Sequence, residues 1–172
     1  ANELARETLR IKLGLDKPLL NQYIEYLNHL FHGDLGISLN TQEPVKLIIS
    51  KALPASLELA FFSLLIASLI GYLIGFSGAL KPEGKIDLFG RIFGIGTYAL
   101  PPFWAAMLIQ IIFAVLLGWL PIGGRFPPGM SFPPTVTGFL IFDSILHKNI
   151  QIIFGSLRHL ILPSFTLGIL LS

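Results

Sequence analysis

The sequence predicts an all-α integral membrane bundle with a small helical layer outside the membrane. Hydrophobic residues make up 53% of the 172 residues and charged residues only 13%, about half the charged share of a soluble domain. The second observation is that three long uncharged stretches divide the chain. A chain with so little charge cannot cover a closed core with polar surface, so we expect it in a bilayer.

Composition also excludes several classes of protein. Fourteen Phe and the apolar content exclude a disordered chain, and a net charge of only +2 argues against a nucleic-acid partner. The absence of Cys excludes disulfides, thiolate metal sites and cysteine nucleophiles. The sequence also has no Gly-rich phosphate loop and no acidic pair suited to general acid–base catalysis. We therefore predict no cofactor and no metal on this chain.

Residues 1–58 differ from the rest because they carry most of the acidic residues, and we expect a water-facing helical layer there. Asp16 suits the cap of the main helix, Pro18 its first turn and Gly33 its C-terminal end. Residues 3–13 and 43–52 are shorter amphipathic candidates, the second of them ended by the Leu53–Pro54 step. The apolar positions of the main helix repeat at helical spacing: Leu19, Leu20, Tyr23, Ile24, Leu27, Leu30 and Phe31.

The remaining residues, 59–172, form the predicted transmembrane region. Residues 59–80 are uncharged and long enough to cross a hydrocarbon layer of about 30 Å. Residues 92–124 are also uncharged and are interrupted by Pro101 and Pro102. They favour a helix from about Tyr98 or Pro101 to Leu117, with the residues from Ile92 in its entry or in a kinked first part. Residues 160–172 resemble the first part of a further span, with Pro163 in its opening turn. Because the chain has no leader-like start and stops inside an apolar run, we expect it to be a fragment.

Two segments lie between the second and third predicted spans. Residues 121–138 hold five Pro and four Gly, which predicts an extended, stiff loop. Residues 139–154 regain a partly amphipathic pattern that suits a short helical hairpin on the membrane surface.

The positive charges predict the orientation of the chain. Lys81, Lys85 and Arg91 fall within eleven residues, so residues 81–91 are expected in the cytoplasm. Residues 1–58 and 118–158 then lie outside, and the third span runs inward.

Residues 75–78 match the Gly-x-Ser-Gly string of rhomboid-like intramembrane serine proteases. A serine nucleophile needs a base within hydrogen-bond reach, and the candidate base, His159, is predicted on the other side of the membrane from Ser77. The stronger interpretation is a helix-packing ridge, because a small residue recurs at every fourth position. The ridge consists of Ser63, Ala67, Gly71, Gly75 and Ala79.

Some polar residues have two possible roles. His29 and His32 lie three apart on a helix, but two imidazoles alone make a weak metal site, and a solvated face is favoured. Glu58 lies at a span border, where it either marks the interface or faces a water-filled path. Gln110 either bonds another helix or lines a polar passage.

Taken in order, six segments resemble the membrane permease subunit of dipeptide, oligopeptide and nickel ABC importers. Each string alone is common, but six in the same order and spacing are specific. The segments are LGLDKPLLNQYIEYL at 13–27, GDLGIS at 33–38, PASLELA at 54–60, LPPFWAAMLI at 100–109, GWLPIGG at 118–124 and HLILPSFTLG at 159–168.

The resemblance implies roles that the residues alone do not supply. It places residues 59–80, 98–117 and 160 onward as the second, third and fourth spans, with a first span before Ala1 and a cytoplasmic coupling loop beyond Ser172. It implies no catalytic activity on this chain and ATP-driven alternating access, with Glu58, Tyr98 and Gln110 as candidates for the translocation path. The variable outer loop of the family suggests receptor contact at Arg125 and Phe126. Asp34 is a further candidate for receptor contact, because the polar segment 1–58 is predicted on the same outer face.

The resemblance also implies partners, location and cargo. Expected partners are a second permease subunit, two cytoplasmic ATPases that bind ATP and Mg²⁺, an extracytoplasmic substrate-binding protein and the lipid of the cell (inner or cytoplasmic) membrane. Short peptides are the expected cargo, with nickel chelates or oligosaccharides as alternatives. The intramembrane protease and a non-catalytic membrane scaffold are the alternatives of another class.

Overall fold

A computed structural model of the chain describes Glu7, Arg10 and residues 17–130 and 133–172. Within these residues every regular element is a helix, and the only β-type pairing is an isolated bridge between Ile37 and Pro44. The all-α fold class is therefore confirmed. The predicted cap at Asp16 and almost all of the helix predicted at 3–13 lie outside the described residues. The chain divides into two compact units, residues 1–50 and 51–172.

The first unit contains helix α1, Leu19–Phe31, at the predicted position. Pro18 stands immediately before the helix rather than in its first turn, and no side chain caps the N-terminus. Gly33 follows the C-terminus with φ of +78°, a conformation that suits glycine. The apolar face of α1 is exposed.

A closed turn joins α1 to the next helix. Ser38 N–H donates to Glu43 O at 2.9 Å, and Val45 N–H donates to Gly36 O at 3.0 Å. These bonds bring the two ends of the segment 36–45 together, so this segment adds little length between the helices.

Helix α2 runs from Val45 to Leu80, 36 residues without a break. The prediction that a short helix ends at the Leu53–Pro54 step is wrong, because Pro54 lies inside the helix. A proline removes one backbone hydrogen bond, and long runs of helix-forming residues on both sides keep the helix continuous. The predicted span 59–80 is therefore the second part of a helix about 54 Å long.

The predicted third span is two helices with a sharp bend. Helix α3 covers Lys85–Ala99, and helix α4 covers Pro102–Gln110 and continues as a wider π-helical segment over Ile111–Leu116. The two are bent by 101° at the Leu100–Pro101 step. Tyr98 therefore belongs to α3, not to the start of the later helix. The loop predicted at 81–91 shortens to 81–84, since Lys85 and Arg91 are helical.

Helix α5 is Leu140–Leu146 and helix α6 is Ile150–Leu171. The predicted hairpin at 139–154 is wrong in its second arm, which is the beginning of α6. Asn149 explains the early start, because its side chain accepts a hydrogen bond from Ile152 N–H and caps the helix there. Pro163 consequently lies in the helix interior and not in an opening turn.

Among the described helices, two are long and apolar enough to cross a membrane: α2 and α6. A third span is obtained if the bent pair α3 and α4 counts as one. Length and composition thus support a multi-pass membrane protein.

Helix α6 is the centre of the second unit and contacts α3, α4 and α5. In the second half of α6, from Leu162 onward, the buried residues fall on two opposite faces. Leu162 and Thr166 lie on one face, and Ser164 and Gly168 on the other, as 100° per residue requires. A Cβ at Gly168 would lie 2.6 Å from Ile66 Cγ2, so this face of α6 packs directly on α2.

Candidate functional site

The polar centre of the second unit is the carboxylate of Glu58 on α2. Its Oε2 accepts a hydrogen bond from Arg125 Nη2 at 2.9 Å, and its Oε1 accepts one from Ile141 N–H at 2.8 Å. The Glu58 side chain is only 8% exposed and that of Arg125 is 32% exposed. One buried carboxylate therefore holds the proline-rich loop, residues 121–138, and the first turn of α5 against α2. We call this arrangement the Glu58 clasp.

A second buried carboxylate fixes the end of the same loop. Asp143 accepts bonds from the Thr137 hydroxyl at 2.7 Å and from the N–H groups of Val136, Thr137 and Gly138 at 2.9 to 3.2 Å. Burial acts to raise the pKa of Asp143, but these hydrogen bonds outweigh it and hold the pKa below its usual value. The carboxylate therefore stays ionised and orders residues 136–138 ahead of α5.

The His159 ring borders three cavities in the described part of the second unit. The first, of 230 Å³, is also lined by Glu58, Arg125 and Ser156. The second, of 300 Å³, includes Gln110, and the third, of 490 Å³, lies under Pro127 and Pro128. The side-chain oxygen of Ser156 is buried beside the first cavity without a hydrogen-bond partner in the described residues. Such a polar cavity suits ordered water.

The three candidates for the translocation path have different environments. Glu58 is paired with a cation rather than open to solvent. Gln110 donates from Nε2 to the Ile122 carbonyl, which ties α4 to the proline-rich loop, and it also lines a cavity. Tyr98 is 93% exposed at the end of α3. Their role in transport stays a prediction.

The candidates for receptor contact belong to different units of the chain. Arg125 belongs to the Glu58 clasp, and Phe126 beside it is half-buried. Asp34, in the first unit, is exposed; its Oδ1 accepts a bond from Gly36 N–H and its Oδ2 lies 3.4 Å from His29 Nδ1. His32 Nδ1 bonds the Asn28 carbonyl instead.

The packing ridge of α2 is buried in one half and open in the other. Ser63 and Ala67 are 1% and 7% exposed, Gly71 is half-buried, and Gly75 and Ala79 are exposed. A cleft of 290 Å³ lies along the open half, between α2, α3 and the end of α6.

The geometry gives no support to serine chemistry at Ser77. Glu58 and His159 line the same cavity, whereas Ser77 lies nineteen residues further along α2 from Glu58, about 28 Å at the helical rise. His159 is therefore far from hydrogen-bond reach of Ser77.

Three features of the site were missed in the sequence. Asp143 had a weak signal, since an acidic residue that follows Thr137 and Gly138 at a helix start is typical of a local cap. Gly155 and Gly168 allow close approach of Pro127 and Ile66, respectively. Arg158 donates to the Trp119 carbonyl at 2.6 Å. Nothing in the sequence indicated these last contacts, because they join segments that are distant along the chain.

Comparison with known proteins gives matches along nearly the whole chain. It is 40% identical over 168 residues, 98% of its length, to the probable D,D-dipeptide transport system permease protein DdpB of Escherichia coli (strain K12). The chain is a homologue of peptide-transport permeases. This confirms the resemblance predicted from the six segments.

Other relatives of this chain have similar names. The di/tripeptide transport system permease protein DppB of Pseudomonas aeruginosa (strain UCBPP-PA14) is 38% identical over 91% of the chain. The dipeptide transport system permease protein DppB of Alkalihalophilus pseudofirmus is 37% identical over 98% of the chain. The chain spans about half the length of these relatives, from 46% to 50%. No protein-family model matches it.

Proposed function

We propose that this chain forms part of the permease subunit of a binding-protein-dependent ABC importer that moves short peptides across the cytoplasmic membrane. The observation that carries the proposal is the 37–40% identity, over at least 91% of the chain, to permeases of dipeptide and tripeptide transport systems. The two apolar helices, α2 and α6, and the bent pair of helices, α3 and α4, suit such a membrane subunit.

In this proposal the chain supplies helices for one half of a path and performs no catalysis. A second permease subunit completes the path, two cytoplasmic ATPases bind ATP and Mg²⁺, and a substrate-binding protein delivers the peptide. Alternating access requires the helices to move as packed groups. The packing of α6 on α2 at Gly168 and the contact of α6 with α4 support one such group.

The Glu58 clasp has a structural role within this function. It anchors the proline-rich loop to the helices, so the loop can present a fixed surface to the substrate-binding protein. A buried ion pair stabilises the arrangement in which its two groups are in contact, because each charge would be poorly solvated if the groups moved apart.

Polyamine export is a second candidate with its own observation. The chain is 30% identical over 88% of its length to a protein of Escherichia coli (strain K12) named putrescine export system permease protein SapB. A relative from Escherichia coli O157:H7 at the same identity is named peptide transport system permease protein SapB. The direction of transport and the charge of the cargo are thus the points to test.

The test uses the complete permease complex in proteoliposomes with ATP supplied on the ATPase side only. We expect ATP-dependent movement of a labelled dipeptide from the receptor side, with a D,D- and an L,L-dipeptide compared directly. Putrescine movement in the opposite direction, without dipeptide uptake, would favour the export function. A nickel chelate and an oligosaccharide complete the set of cargoes.

Sidedness is tested separately with single cysteines, since the chain has none of its own. Cysteines at Asn40 and Gly129 should react with an impermeant maleimide from outside intact cells, and one at Pro82 only after permeabilisation. Labelling of the Pro82→Cys variant in intact cells would reverse the assigned orientation.

A further inference from the structure

Ser156 on α6 has a buried hydroxyl that no described residue bonds. The residue is 1% exposed, and its Oγ has no hydrogen-bond partner among the described residues. Other buried hydroxyls in the helices bond the carbonyl four residues earlier, at 2.6 to 2.8 Å: Ser63, Ser144 and Thr166. Ser156 therefore needs another partner, because a buried polar group left without a hydrogen bond lowers stability.

Ser164 provides a contrast on the same helix. Its Oγ is also buried without a partner in the described part of the chain. Ser164 lies eight residues, or about 12 Å, beyond Ser156 along α6, and it lines none of the four cavities named above. Ser156 lines the cavity of 230 Å³ at the Glu58 clasp, which we call the clasp cavity. Of the two hydroxyls, Ser156 is therefore the one with a known space beside it.

The partner of Ser156 has to be small. The chain's own atoms bury its Oγ, so a helix of another subunit cannot touch this oxygen from outside. A partner must instead enter through the clasp cavity, whose volume of 230 Å³ is far more than one water molecule needs.

The groups around the clasp cavity can hold an ordered water. Each oxygen of the Glu58 carboxylate already accepts one bond and can accept a second. His159 Nδ1 lies 3.3 Å from the Gly155 carbonyl, so Nδ1 carries the hydrogen, and Nε2 of the neutral ring is left as an acceptor. This nitrogen lies beside Gly124, which also lines the cavity. With the Ser156 hydroxyl, these groups supply the two to four partners that a buried water requires.

The lining of the clasp cavity also favours water over a lipid chain. Glu58 and Arg125 border the cavity, and hydrocarbon offers neither charged group a hydrogen bond. Cavities that stay dry are lined by apolar side chains, whereas buried water is found beside polar groups that lack partners.

We propose that the clasp cavity is a water-binding site in which ordered water bridges the Ser156 hydroxyl of α6 to the Glu58 carboxylate of α2. His159 lies three residues from Ser156, on the same side of α6, and offers the water a third partner. The bridge joins α6 to the Glu58 clasp. Ser156 is thus a positioning residue that acts on the proline-rich loop through Glu58.

The first test measures whether water reaches position 156, and it uses the absence of Cys from this chain. Ser156→Cys and Ser164→Cys each place one thiol in the complete complex, and the infrared spectrum of the parent complex is subtracted. In D₂O a thiol in contact with water exchanges its hydrogen, and its S–H stretching band is replaced by an S–D band. We expect the S–H band to disappear at least tenfold faster at position 156 than at position 164. Equal rates at the two positions, fast or slow, would overturn the proposal.

The second test uses the sign of a stability change. Ser156→Ala removes one end of the bridge and should lower the midpoint of thermal unfolding of the complex by about 2 °C. Ser156→Thr keeps the hydroxyl and should recover most of this loss. Ser164→Ala is the matched control and should not lower the midpoint, because it removes a hydroxyl that has no water beside it. A midpoint that is unchanged or raised in Ser156→Ala would show that its hydroxyl is dry.

The third test asks whether the bridge ends at Glu58. A neutral amide binds water less strongly than a carboxylate does, so the loss caused by Ser156→Ala should be smaller in the Glu58→Gln background. Ser164→Ala should be additive with Glu58→Gln. Additive losses for Ser156→Ala and Glu58→Gln would mean that the Ser156 hydroxyl bonds within α6, and the bridge to Glu58 would be rejected.

This inference concerns the second unit of the chain and does not rest on the proposed transport function. None of the three measurements needs ATP, a substrate or a substrate-binding protein. A complex that fails to move peptides can therefore still show the bridge, and the two failures are distinguishable.

Discussion

The two ends of α2 differ in how completely this chain surrounds them. At the Glu58 end, the carboxylate has two hydrogen-bond donors, and Ser63 and Ala67 are buried. At the Lys81 end, Gly75 and Ala79 are exposed along an open cleft of 290 Å³. The same small-residue repeat runs through both ends. Spacing alone therefore does not determine whether a helix face is covered, and the neighbours available in the fold decide it.

The largest effect is expected from Asp143→Ala at the closed end. This change leaves three backbone N–H groups without their acceptor and should lower the free energy of unfolding by on the order of 3 kcal/mol. Thermal unfolding of the purified complex measures it. His147→Ala, one turn away, is the matched control; it removes one hydrogen bond between an exposed ring and the Asp143 carbonyl and should cost much less.

The pH dependence of Asp143 sharpens this result. Because the folded pKa is lowered, the stabilisation is fully present above the unfolded pKa of about 3.9 and is lost as pH falls through the lower folded pKa. Asp143→Asn should therefore be less stable than the parent protein at neutral pH and lose less stability in acid. Equal acid sensitivity in the two proteins would contradict the role assigned to this carboxylate.

Glycine substitutions compare the closed and open ends directly. A leucine at Gly168 would overlap Ile66 and should cost about 1 to 3 kcal/mol of packing, seen as a lower yield of intact complex. A Cβ at Gly75 meets no heavy atom within 4 Å in the described residues, so Gly75→Leu tests whether another chain covers the open half. A normal yield with Gly75→Leu would show that this half faces lipid; a loss comparable to that of Gly168→Leu would show a partner helix.

A double-mutant cycle tests the Glu58 clasp. Glu58→Gln leaves Arg125 without its counter-charge and should cost about 1 to 2 kcal/mol, since the guanidinium retains some access to solvent. The double variant with Arg125→Gln should recover part of this loss. Additive losses would mean that the pair contributes no coupling.

The smallest effect is expected at the Lys81 end from Arg91→Gln. Arg91 pairs with Asp87 one turn away at 2.8 Å, but its side chain is 66% exposed, and water screens such pairs. We expect unfolding indistinguishable from that of the parent protein. A large loss would indicate that the pair lies inside an interface with another subunit.

The sequence predicted the elements whose signals are local. Hydrophobic periodicity and Gly33 located α1, and the uncharged run 59–80 located the second part of α2. Pro54 was expected to end a helix and Pro163 to lie in an opening turn, but both lie inside helices. A proline breaks a helix only when the flanking residues also fail to support it. The Glu58 clasp was beyond local signals, since its donors lie 67 and 83 residues away along the chain.

The 101° bend between α3 and α4 has a consequence for its surroundings. Pro101 and Pro102 carry no N–H, so the bend leaves few unpaired donors, but the carbonyls of the last turn of α3 have no following helical turn to bond them. The hydrocarbon layer offers these oxygens no hydrogen-bond donor, and irregular backbone exposed to lipid is not tolerated within that layer. The bend beside Tyr98 must therefore border water, headgroups or another protein surface, whichever way the chain is oriented in the bilayer.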